Sequence, residues 1–172
     1  LQRQVLYTTD DVGRNKVEVA AERLSALNPD VIIKTYCNRL ESENAVEVLQ
    51  DYDIILDGCD NLSTRYLIND TCVHLDKVYV YGAISEFSGQ VSVFNYRGGS
   101  TYRCLFPALE GREGNTEPQG VLGPLPGVVA TIQAAEAMKL ICGIGTPLSG
   151  QVLLIDLLTN QFEKIELSRQ CR

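Results

Sequence analysis

The sequence predicts an α/β fold: a mostly parallel sheet with helices on both faces and an antiparallel extension at the C-terminal end. Three observations predict it. Over the first 84 residues, segments of helical period alternate with short apolar or β-branched runs. "DIILDG" holds a compact apolar run, as expected of a parallel strand covered on both faces. "GQVLLIDLLTNQFEKIEL" reads as two strands joined at Thr159-Asn160. Helix–strand alternation of this kind implies right-handed crossovers within one layered domain.

The elements follow in order. "VGRNKVEVAAERLSALNPD" places Val17, Ala20, Ala21, Leu24 and Leu27 at helical spacing, and Asn28-Pro29 ends the helix. "VIIKTYCN" is short and β-branched, which predicts a strand. "ESENAVEVLQDY" predicts a helix buried through Ala45, Val46 and Leu49. After the "DIILDG" strand, "NLSTRYLINDTCVHLD" returns to helical spacing through Leu67, Ile68, Cys72 and Leu75. "KVYVYGAI" is the next strand, and "SGQVSVFNYRGGSTYRCLF" reads as strand, Gly-Gly turn and short strand. Residues 107–120 are rich in Gly, Pro and charge and lack an apolar period, which predicts a mobile loop. "GVVATIQAAEAMKLICG" predicts a buried apolar helix closed by Gly143.

At 172 residues the chain suits a single domain, 1–172. Its net charge of −7 argues against non-specific nucleic-acid binding and against an anionic membrane surface. No run is expected to supply the roughly 18 apolar residues that cross a bilayer, and "LQRQVLYTTDD" is too polar to open a signal peptide. The six cysteines are scattered without C-x-x-C spacing, which predicts a reducing, cytoplasmic setting and no disulfide framework. Neither G-x-G-x-x-G nor a Walker motif occurs, so a dinucleotide-dependent dehydrogenase is not expected.

Six stretches carry a resemblance when taken in order: "LQRQ", "VGRNKVEVAAERLSALNP", "DIILDGCDNLSTRYLIND", "GAISEFSGQVSVF", "YRCLFP" and "GVLGPLPGVVATIQAAEAMKLICG". Together they resemble the ThiF/MoeB/HesA adenylyltransferases, bacterial relatives of ubiquitin-activating enzymes, over nearly the whole chain. The resemblance implies a Rossmann-like sheet, a homodimer, and use of ATP and Mg²⁺ to adenylate the C-terminal glycine of a small ubiquitin-like sulfur carrier. It also implies a strand and Gly-rich loop ahead of the region that starts this chain. The chain is therefore expected to begin just after a nucleotide cradle.

Adenylation needs cations on the polyphosphate and a metal held by carboxylate, with little protein acid–base chemistry. The resemblance assigns Arg3 as a phosphate-binding arginine, with Gln4 lining the same pocket. A guanidinium fork meets phosphate oxygens in pairs. It assigns Lys16 as a second phosphate cation. Asp60 follows the "DIILDG" strand at the carboxyl edge of the sheet, where ligands of open α/β folds bind. A carboxylate there suits Mg²⁺. Asp60 could instead cap the following helix, but Asn61, a further nucleotide-binding candidate, caps equally well. Asp57 reads as structural support, and Arg65 either pairs with an acid or approaches the nucleotide. Arg14 reads as a surface charge and His74 as structural.

Two departures from the family pattern shape the expected activity. Thr116 stands where some members carry a cysteine that links to the carrier, so activation is expected to stop at the acyl-adenylate. Of the family's two zinc-binding C-x-x-C pairs, the first reads Thr101 and Cys104 here, and the second would start at Cys171. Two ligands do not close a zinc site, so zinc is not expected. The alternative to an adenylyltransferase is a non-catalytic fragment or degenerate member, acting as a carrier-binding and dimerisation module.

Overall fold

The computed structural model describes residues 1–107 and 120–167. Most of the 107–120 loop expectation, Thr116 and Cys171 lie outside them. The residues group into two compact units, Leu1–Arg39 and Leu40–Arg172.

The first unit contains a 3-10 turn, Thr9–Asp11, and helix α1, Lys16–Leu27. Thr8 and Asp11 close the turn reciprocally: the Asp11 carboxylate accepts from the Thr8 amide at 2.8 Å. Val19 is the buried residue of α1, whereas Leu24 and Leu27 are exposed, Leu27 by 82%. The apolar stripe read from spacing thus covers only the first turns. "VIIKTYCN" does not form the expected strand. β-branched residues favour a pleated surface only when a neighbouring strand supplies the ladder, and none forms over residues 31–38.

The second unit is built on a five-stranded sheet in sequence order: β1 (Ile54–Leu56), β2 (Val78–Ser85), β3 (Ser88–Phe94), β4 (Gln151–Asp156) and β5 (Gln161–Glu166). The α/β class stands, and the sheet is mixed. β1 and β2 pair in parallel, and the remaining neighbours are antiparallel. β4 and β5 form the expected terminal hairpin, with Asn160 at φ +57° in its turn. Asn tolerates that left-handed conformation better than most residues.

Helices α2 (Ala45–Leu49), α3 (Leu62–His74) and α4 (Tyr102–Leu105) pack on one face of the sheet. The alternation of β2 and β3 sends Tyr79, Tyr81 and Phe94 to that face, where Tyr102 and Phe106 join them in an aromatic cluster. The opposite face carries Val80, Val91 and Val93 against Leu125 and Val129 of α5, Leu125–Cys142. Two expectations need correction here. "TYRCL" forms α4 and not a strand, because Thr101 caps a helical turn: the Thr101 amide donates to Cys104 Sγ at 3.3 Å. α2 is also shorter than the period of "ESENAVEVLQDY" suggested.

α5 corrects two further expectations. Its 18 residues have a mean hydropathy of 1.3, so this one segment is long and apolar enough to cross a membrane by length and composition. It is also not buried all round. Val129, Gln133, Glu136 and Ala137 face inward, while Met138 and Ile141 are 63% and 73% exposed. Glu136 is buried but satisfied: its carboxylate accepts from the Leu148 amide at 2.8 Å and from Lys139 Nζ. Gly143 ends the helix at φ +64°, the left-handed cap that glycine adopts without a Cβ clash.

Candidate adenylation site

The predicted site residues fall into two constellations, one in each unit. In the first, Gln4 and Lys16 line a pocket of about 170 Å³ together with Tyr7, Asp11 and Arg14. Arg3 is exposed and is not among the lining residues. Lys16 occupies the first position of α1, where the helix macrodipole disfavours a cation. Its placement beside the backbone amides of a helix start suits an anion. Arg14 is committed elsewhere: it pairs with Asp11 at 3.4 Å and Glu22 at 2.5 Å. Arg23 also reaches Asp11, at 2.6 Å. Hydrogen bonds to Thr8, with these two cations, hold the Asp11 carboxyl below its ordinary value, despite some opposition from desolvation.

The second constellation follows β1, where the parallel β1–β2 pair ends. The Asp57 amide continues the ladder by donating to Val80 O at 3.0 Å. The Asp57 side chain then turns toward α3 and is buried. Oδ1 accepts from the Cys59 amide at 2.8 Å, and Oδ2 accepts from Tyr79 Oη at 2.8 Å and Arg65 Nε at 3.2 Å. Arg65 Nη2 donates to Cys59 O at 2.9 Å, and its guanidinium lies 5.7 Å from the Tyr81 ring centroid. Of the two roles open to Arg65, the structure displays pairing with an acid. Burial is the largest single influence and works against the Arg65 charge, but Asp57, joined by Tyr81, Cys59 and Tyr102, together outweighs it, so the guanidinium titrates above its ordinary value. Burial first, and Asp57 second, push the Tyr79 hydroxyl far upward.

Asn61 caps α3: its Oδ1 accepts from the Thr64 amide at 2.9 Å and from Ser63 Oγ at 2.9 Å. Asp60 is exposed and, among the described residues, makes only a long contact, 3.5 Å, with the Asn61 amide group. Its carboxylate therefore does not cap α3, the duty that Asn61 takes. Among the described residues no three His, Cys, Asp or Glu cluster as a ready-made metal cage. One free carboxylate is still a sufficient protein ligand set for Mg²⁺, which keeps water and substrate phosphate oxygens in its coordination shell.

Sequence reasoning missed Gln133. Its Nε2 crosses from α5 to donate to Asp57 O at 2.9 Å and Val80 O at 3.2 Å. The available signal was weak: a polar residue inside the apolar run "VVATIQAAEAM". Cys59 and Cys72 are unreactive by environment. Burial, helped at Cys59 by Asp57, pushes both thiols up to about 12. At pH 8, iodoacetamide is expected to label the exposed Cys37 and Cys142 well before Cys59 and Cys72. Peptide mass spectrometry over a time course checks this, and early labelling of Cys59 would refute it.

Residues 1–172 match the ThiF family. The chain belongs to the ThiF family. A probable molybdopterin-synthase adenylyltransferase of Pyropia yezoensis is 47% identical over 170 residues, covering 97% of this chain and 45% of the relative. The sulfur carrier protein adenylyltransferase of Thermus thermophilus is 49% identical over 179 residues, covering 100% of this chain and 66% of the relative. The chain thus spans 45% and 66% of the length of these two curated relatives. Among solved structures, E. coli MccB with ATP superposes with a TM-score of 0.83 at 20% identity, covering 98% of this chain and 52% of MccB. That likeness supports the Rossmann-type fold and nothing finer.

Proposed function

We propose that this ThiF-family chain serves an ATP-dependent adenylyltransferase acting on the C-terminal glycine of a small ubiquitin-like sulfur carrier. The observation that carries this reading is the free carboxylate of Asp60 at the carboxyl end of β1. It is left open because Asn61 caps α3 and Asp57 takes up Arg65. In the reaction, a carboxylate oxygen of the carrier attacks the α-phosphorus of ATP. An acyl-phosphate bond forms, the bond to the bridging oxygen breaks, and pyrophosphate leaves. Arg3 and Lys16 supply positive charge for the phosphates, and Gln4 and Asn61 supply polar contacts to the nucleotide. Asp60 would hold Mg²⁺, which would supply positive charge to offset that on the phosphate oxygens.

Thr116, at the position of the family's carrier-linking cysteine, supports a reaction that ends at the acyl-adenylate. We further infer a homodimer, supported by the apolar side chains Met138 and Ile141 on the outer face of α5. Among the described residues, Cys37, Cys59, Cys72 and Cys142 carry free thiols, which supports a reducing compartment, the cytoplasm. The test is carrier-dependent ATP–pyrophosphate exchange by the purified protein. Exchange should require both Mg²⁺ and a carrier ending in glycine. Absence of exchange with any such carrier would overturn the proposal.

A further inference from the structure

We infer that Gln133 is a positioning residue for Asp60, acting through the backbone of Asp57. The inference rests on the adenylation reading of Asp60 for its function, but its structural part stands independently. Asp57 is held from both faces of the sheet. On the α3 face its carboxylate takes Arg65, Tyr79 and the Cys59 amide. On the α5 face its carbonyl accepts from Gln133 Nε2 at 2.9 Å, and the same amide reaches Val80 O at 3.2 Å. Val80 O is also the acceptor of the Asp57 amide, so Gln133 ties the end of β1 to Val80 within β2 at the point where the site loop departs.

Gly82 provides the passage for this side chain. A Cβ there would lie 2.3 Å from Gln133 Cδ, with both terminal atoms of the amide at 2.5 Å. No side chain other than hydrogen leaves room for the amide. From Asp57 onward the loop is bonded at Cys59 and Asn61, and Asp60 projects between them. A two-donor amide on a long helix therefore orients the base of a loop whose exposed carboxylate is the proposed metal ligand. Groups that orient a metal ligand typically change metal affinity or activity by about 10- to 100-fold when removed.

Two variants test this from opposite sides. Gln133→Met removes the donors and keeps side-chain length and burial. Gly82→Ala keeps the donors and displaces them. In amide hydrogen exchange without any ligand, both variants should lose protection at Cys59, while the Val91 and Val93 amides in the sheet keep theirs. In carrier-dependent exchange, both should require a higher Mg²⁺ concentration and show kcat reduced about 10-fold or more, with the carrier KM unchanged. Retained protection at Cys59 in a folded variant would overturn the inference. So would a loss spread evenly through β2 and β3, which would mark Gln133 as general core support. If the wild-type protein shows no exchange activity, the adenylation reading fails, and the hydrogen-exchange arm still decides whether Gln133 holds the loop.

Discussion

Arg65→Ala is expected to destabilise the protein by about 3 kcal/mol, lowering the thermal midpoint by roughly 6–12 °C. The reason is the environment of its partner. The Asp57 side chain has no solvent exposure, and Arg65 is its ion-pair partner at 3.2 Å. Removing the guanidinium leaves a buried carboxylate with only the Tyr79 hydroxyl and the Cys59 amide. Truncating one member of a buried pair costs more than the pair contributes over an apolar replacement, because a charge is stranded. Those two remaining donors place the expected value at the low end of the usual range. Arg65→Lys should fall between, since an ammonium lacks the planar fork that reaches both Asp57 and Cys59 O.

Arg103→Ala is the matched comparison. Arg103 meets Asp70 through two short bonds, 2.8 and 2.6 Å, but both side chains are substantially exposed. Solvent screening limits such a pair to about 1 kcal/mol or less. Equal midpoints for the Arg65 and Arg103 variants would show that burial does not set the strength of the Asp57 pair.

Asp60→Ala is expected to abolish most activity without changing stability. Carrier-dependent exchange should fall by at least about 100-fold, since the proposed direct metal ligand is lost. The melting midpoint should correspond to a change within about 0.5 kcal/mol, as for an exposed residue with no structural duty. Asn61→Ala should show the cap instead, at a cost of about 1 kcal/mol, because Thr64 loses its acceptor. Paired measurement of exchange and thermal midpoint separates the two. A destabilised Asp60→Ala protein with near-normal exchange would reverse the assignment, making Asp60 the structural residue of the loop.

Periodicity located the elements that carry their own local pattern. α1, α3, α5 and the β4–β5 hairpin appear where apolar spacing, caps and turn residues placed them. Failures came where structure depends on a partner. Residues 31–38 have strand-forming composition but no ladder, and "TYRCL" followed Thr101 into a helical turn. α5 reads as buried because apolar composition is read without direction, whereas the fold turns Met138 and Ile141 outward. At the candidate site, Asn61 as a sufficient cap and Asp57 as internal support were both legible in "DGCDNLSTR". The role of Gln133 was not, since it bonds to residues 76 and 53 positions away.

By itself the sequence determined the α/β class and, through the family resemblance of its motifs in order, the family and the residues proposed to handle phosphate and metal. A linear chain displays residue identity and the order of motifs. Tertiary structure alone decided that Arg65 is bound to Asp57, that Asp60 is the carboxylate left open, and that Gly82 is small so that Gln133 can reach the end of β1. These are matters of burial and of hydrogen bonds between distant segments. Such bonds exist only once folding has removed water and made every buried donor and acceptor find a partner.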